Sequence, residues 1–93
     1  LALERARLAV FAAHLGDKNR ARYEVAQALQ MLPDDTKLKR IAAEAYDALG
    51  DREQALSTLK SAPLTVLSEM SRSPEFDDLQ RDPQFRVLLT TNH

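Results

Sequence analysis

Shifted by 34 residues, the chain matches itself at Ala9 and Ala43, Leu15 and Leu49, Gly16 and Gly50, Asp17 and Asp51, Ala21 and Ala55, and Ala28 and Ala62. The residues between these identities say what is repeated. In the second copy Leu38, Ile41, Ala42, Ala45, Tyr46 and Leu49 recur every three or four positions, which places them on one face of a helix. Gly50 suits the left-handed residue just past a helix end. Asp51 can cap the next helix, with Gln54 three residues on as in a capping box, and Ala55, Leu56 and Leu59 continue the inner face. The first copy runs the same way: Leu8, Phe11, Ala12 and Leu15, then Gly16-Asp17, then Ala21, Val25, Ala28, Leu29 and Leu32. Pro33, Asp34, Asp35 and Thr36 stop that helix and start another. Each unit is helix, tight turn, helix. Short side chains at Ala9, Ala21, Ala43 and Ala55 let the two helices of a hairpin approach closely.

Composition narrows the function classes. At 93 residues the chain makes one small domain with a modest core, and a large enzyme active site is not expected. Alanine and leucine dominate the apolar residues and there are two glycines, so the chain reads as all-α. Thirteen basic and fourteen acidic residues, net charge -1, form no basic stripe of the kind that grips nucleic acid. The absence of cysteine removes disulfides and thiolate metal sites and fits a reducing compartment such as the cytoplasm. No apolar run approaches the roughly 20 residues that span a bilayer. Leu1 is not methionine and already sits in a helical pattern, so the chain is expected to be a piece of a longer protein.

A 34-residue helix-turn-helix with Gly-Asp in the turn, Ala four residues after the Asp, a second Ala seven further on and Pro at the unit end resembles the tetratricopeptide repeat. Residues 2–35 match through Ala9, Leu15, Gly16, Ala21, Ala28 and Pro33; residues 36–62 match through Ala43, Tyr46, Gly50, Ala55 and Ala62. Arg5 and Lys39 depart from it, standing where the family often has a large aromatic; so do Ala12, which takes the place of Tyr46, and Pro63, which closes the second unit early. The resemblance implies a right-handed array of α-hairpins.

Residues 63–93 break the period and read as capping helices. Leu64, Leu67 and Met70 continue as a short helix after Pro63. Ser73-Pro74 and Asp82-Pro83 each place a capping residue before proline, the pair that opens a helix. Phe76, Leu79, Phe85, Leu88 and Leu89 can face inward. "SPEFDDLQRDPQFRVLL" resembles the segment that closes repeat arrays in some bacterial multidomain signalling proteins, serine/threonine kinases among them. A terminal repeat leaves an apolar face that such a segment covers.

Chemistry-bearing residues are sparse. His14 and His93 have no partner at metal-ligand spacing, Asp34-Asp35 and Asp77-Asp78 stand where acids complement a helix start, and the serines carry no nucleophile motif. No catalytic residue, cofactor or metal is expected. Residues 64–79 are net acidic, against a membrane-binding helix. The expected role is binding of a protein or peptide on the concave face; the alternative is a spacer that packs on a neighbouring domain or self-associates. The resemblance puts the groove on the first helix of each unit, at Leu3, Ala6, Val10, Ala13 and His14, then Lys37, Arg40, Glu44 and Asp47. Family members that grip a chaperone's carboxylate tail use lysine and asparagine at such places, where Ala6, Val10 and Glu44 stand here, so that activity is not carried over.

Overall fold

The computed structural model describes residues 1–91; His93 lies outside the described residues. Seven α-helices and one 3-10 turn follow in order among them: α1 (Ala2–His14), α2 (Lys18–Met31), α3 (Thr36–Ala48), α4 (Arg52–Leu59), α5 (Leu64–Met70), the 3-10 turn Pro74–Phe76, α6 (Asp77–Gln80) and α7 (Pro83–Thr91). The fold is all-helical. α1 pairs with α2, α3 pairs with α4, and α1 also lies along α3, so two hairpins stack side by side.

The two Gly-Asp turns are built alike. Gly16 and Gly50 have φ of 88° and 80°, the left-handed region that other residues enter at a cost. Gly16 N–H donates to Ala13 and Asp17 N–H to Ala12; Gly50 donates to Asp47 and Asp51 to Tyr46, so the last carbonyls of α1 and α3 are satisfied by the same paired bonds. The Asp17 and Asp51 carboxylates then accept from Arg20 N–H at 3.4 Å and Gln54 N–H at 3.3 Å, capping α2 and α4. Asp35 caps α3 through Leu38 N–H at 2.8 Å.

α4 ends at Leu59, six residues shorter than α2. Pro63 explains this: its ring would clash with the carbonyl four residues back, at Leu59, and it has no N–H to bond there. The chain turns and starts α5 at Pro63. From α5 onward it wraps the second hairpin, and Leu67, Met70, Phe76, Leu79 and Phe85 join Ala43, Ala55, Leu56 and Leu59 in one buried cluster. The radius of gyration is 12.1 Å, against about 12 Å for a compact domain of this length, so the C-terminal segment folds back on the hairpins.

Several expected placements are corrected. Leu8, Phe11 and Leu15 do not face the core: they are 38%, 63% and 71% exposed, and Ala2, Ala6, Ala9, Ala12 and Ala13 form the buried row of α1 instead. α1 sits between α2 and α3, and only short side chains fit a helix packed closely on two sides. Leu32 and Leu64 are also exposed, while Val66 is buried. Ser73 makes no side-chain cap; its hydroxyl donates to the Glu69 carbonyl at 2.9 Å, closing α5 rather than opening the next turn. Asp82 does accept from Gln84 N–H at 2.8 Å. No helix among the described residues is long and apolar enough to cross a membrane.

Candidate functional site

Where α1 and α3 lie side by side they leave an open hollow of about 430 Å³, lined by Arg7, Val10, Phe11 and His14 from α1 and by Lys37, Arg40, Ile41 and Glu44 from α3. Each helix contributes positions i, i+3, i+4 and i+7, one stripe of a helical surface. Val10, Phe11 and Ile41 give an apolar floor. Arg7, Lys37 and Arg40 surround it with positive charge, against the single carboxylate of Glu44.

Of the residues expected in a groove, Val10, His14, Lys37, Arg40 and Glu44 come together here. Ala6 and Ala13 do not line it. Ala6 is buried against Leu38 and Ile41, and Ala13 against Leu49, at the contact between α1 and α3. Leu3 is half-buried on the same contact. Asp47 lines a different cleft. The cause is geometric: two neighbouring helices border their common hollow with opposite flanks. The stripe on α3 is 37-40-41-44, whose counterparts 34 residues earlier are 3-6-7-10, but α1 borders the hollow with 7-10-11-14, one turn further on. Transferring positions by the repeat alone therefore missed Arg7 and Phe11.

Arg40 is held rather than free. Its Nη2 donates to Glu75 Oε1 at 3.2 Å, and its guanidinium carbon lies 5.8 Å from the centre of the Phe76 ring, a cation–π distance. Its Nε–H is buried and has no hydrogen-bond partner among the described residues. Lys37 makes no ion pair among the described residues. Burial, and then the Glu75 carboxylate, raise the Glu44 pKa above the ordinary carboxylate value, while Arg40 and His14 pull it back.

The second cleft is larger, about 680 Å³, between the end of α3, α4 and the C-terminal segment. Asp47, Arg52, Glu53, Lys60, Asp78 and Asp82 dominate its walls, with Leu56 as the one large apolar residue. Arg52 already pairs with Asp82 at 3.5 Å. Burial also raises the Asp47 pKa, with Arg52 opposing and Asp78 adding to the rise. A charged, internally paired cleft offers a partner little apolar area, so the hollow between α1 and α3 is the better binding site despite its smaller volume. Among the described residues no cluster of histidine, aspartate and glutamate is placed to hold a metal ion.

Arg5 and Lys39, the two residues without the family's aromatic, are polar struts. Arg5 Nη1 bonds Glu24 Oε1 at 2.9 Å, and Lys39 Nζ donates to Ser61 Oγ at 2.8 Å. Each ties the first helix of a hairpin to the far end of its second helix. Glu24 and Lys39 are both buried, at 7% and 8% exposure, so these bonds satisfy groups that would otherwise be costly. No family model, no curated protein and no solved structure matches the chain.

Proposed function

We propose that this chain is a protein-interaction module of two tetratricopeptide-like hairpins with a C-terminal cap, and that the hollow between α1 and α3 receives a short segment of a partner protein. The observation that carries this is the pairing of an apolar floor, Val10, Phe11 and Ile41, with the cations Arg7, Lys37 and Arg40. Such a surface suits an extended or helical segment with an apolar anchor and at least one acidic residue. The unpaired Nε–H of Arg40 adds a donor that an acceptor on the ligand would satisfy. Arg7 and Lys37 are exposed, so each ion pair contributes only about 0.2 to 1 kcal/mol, and apolar contact at Val10 and Phe11 must supply most of the affinity.

The test is selection from a displayed library of random peptides. Sequences joining bulky apolar residues to Asp or Glu should be enriched. Val10→Asp should weaken the selected peptides at any salt concentration, and Arg7→Glu with Lys37→Glu should weaken them most at low salt. Enriched peptides that bind both variants as well as the parent, with the fold intact by circular dichroism, would move the site elsewhere.

A second reading, a spacer that packs against a neighbouring structure, is favoured by a different observation: the exposed row of Leu8, Phe11 and Leu15 on α1.

A further inference from the structure

α1 and α3 are equivalent helices 34 residues apart, yet they are covered differently. On α3 the row Leu38, Ile41, Ala42, Ala45 and Leu49 is buried by the first hairpin. Leu38 and Ile41 meet Ala2, Ala6 and Ala28; Ala42 and Ala45 meet Ala9 and Val25; Leu49 meets Ala12, Ala13 and Ala21. The same row on α1 is Glu4, Arg7, Leu8, Phe11 and Leu15. There Leu8, Phe11 and Leu15 are 38%, 63% and 71% exposed, where their α3 counterparts Ala42, Ala45 and Leu49 are 0%, 0% and 5% exposed. Met31, on α2, is 46% exposed and lines a shallow hollow with Leu1 and Leu8 at one end of this row. Large apolar side chains in a continuous exposed row mark an interaction surface, and this one continues the interface already formed inside the chain.

We propose that this row is a hairpin-docking face, occupied by a further helical hairpin of the same repeat, joined ahead of Leu1 and stacked on α1 as the first hairpin stacks on α3. The inference rests on the repeat reading, not on the peptide-binding one. The row also states what the incoming hairpin must carry. Phe11 stands where α3 has Ala45, so the surface opposite it must be small enough to leave room for a ring. Glu4 and Arg7 replace Leu38 and Ile41, so that end of the contact is polar and calls for groups of opposite charge.

A second copy of the chain fits the row less well. Head-to-tail stacking would need the outer face of the second hairpin, which Leu67, Met70, Phe76, Leu79 and Phe85 already cover. Two-fold pairing would set Leu8, Phe11 and Leu15 against themselves, with no gap for either Phe11 ring.

The experiment compares residues 1–93 with the same chain extended through whatever its own gene encodes ahead of Leu1. Leu15→Cys supplies the probe, because residues 1–93 contain no cysteine. Its modification by a maleimide, mapped by mass spectrometry, should be at least about tenfold slower in the extended protein, since a covered site reacts only when the contact opens. Equal rates in the two proteins overturn the proposal, as does an upstream sequence with no helical hairpin. Sedimentation equilibrium of residues 1–93 should give a monomer. A dimer that dissociates in the Leu8→Glu Leu15→Glu variant also overturns it and assigns the face to a second copy. Neither Leu15 nor Leu8 lines the hollow between α1 and α3, so failure here leaves the peptide-binding test unaffected.

Discussion

Phe76 and Phe11 are the same residue type in opposite environments, and the contrast makes a quantitative test of the packing. Phe76 is fully buried in the cluster that joins the C-terminal segment to the second hairpin, beneath the guanidinium of Arg40. Phe11 is 63% exposed. Truncating a fully buried phenylalanine to alanine removes its transfer free energy and leaves a cavity, a cost of roughly 3 to 5 kcal/mol. The Phe76→Ala variant also deprives Arg40 of its ring contact, worth about 0.5 to 1 kcal/mol at a partly exposed site. A domain of this length has a total stability of roughly 5 to 14 kcal/mol, so Phe76→Ala removes a large share of it. At about 4 to 8 °C per kcal/mol, even a 3 kcal/mol loss lowers Tm by roughly 12 to 24 °C. Phe11→Ala in residues 1–93 should change stability by no more than about 0.5 kcal/mol, because no core contact is lost. Urea titrations of both variants followed by far-UV circular dichroism give the two numbers on one scale. Equal destabilisation by the two substitutions would refute the assignment of Phe76 to the core and Phe11 to solvent, and with it the account of how the C-terminal segment closes the second hairpin.

Other consequences follow from the same packing. Ala55→Leu inserts three carbons where the second hairpin is fully closed and should cost about 1 to 3 kcal/mol; a thermal melt like that of the parent would show that Ala55 is not at a close contact. Gly50→Ala meets no atom within 4 Å at its new Cβ, so its cost should be conformational alone, roughly 1 to 2 kcal/mol for a left-handed alanine, and a larger loss would point to a steric clash. Glu44 has a raised pKa in the fold, so ionising it opposes folding: its stabilising protonated form persists below the unfolded carboxylate pKa and is lost as pH rises through the folded value. Glu44→Gln should therefore raise Tm at neutral pH, with the gain shrinking as the buffer is taken down into the carboxylate range; a gain independent of pH would rule out that cause.

How much of this was legible in the sequence depends on how local each signal is. The Gly16-Asp17 and Gly50-Asp51 turns were readable because everything they need lies within six residues: a left-handed glycine, paired carbonyl bonds and an aspartate cap. Phe76, Leu79 and Phe85 were readable because large apolar residues between prolines have few other places to go. The inner face of α1 was misread because hydrophobicity favours leucine and phenylalanine over alanine, whereas a helix packed closely on both α2 and α3 selects for shortness. Leu8, Phe11 and Leu15 follow helical spacing as well as the alanine row does, and only the neighbours decide between the two stripes. Gln80 gave no signal at all; its side-chain amide donates to the Met70 and Ser73 carbonyls at 2.7 and 2.8 Å, tying α6 to the end of α5, and that role needs the tertiary fold to exist first.

Arg40 joins the two halves of the problem. Its position on α3 was readable as part of a groove, but its partners, Glu75 and Phe76, come from the segment that breaks the repeat, 35 residues away in sequence. The positive charge that faces the hollow is therefore positioned by the C-terminal segment. A carboxylate entering beside Arg40 competes with Glu75 for the guanidinium and at the same time meets the repulsion of Glu44, so the net attraction at that end of the hollow is weaker than a count of cations implies. Lys37, with no internal carboxylate, is the stronger attractor for an acidic side chain, and Val10 and Ile41 lie beside it to receive an apolar neighbour. The geometry thus ranks the groove from its free end to its tethered end: Lys37 and Arg7 select charge, the apolar floor supplies affinity, and Arg40 anchors the wall.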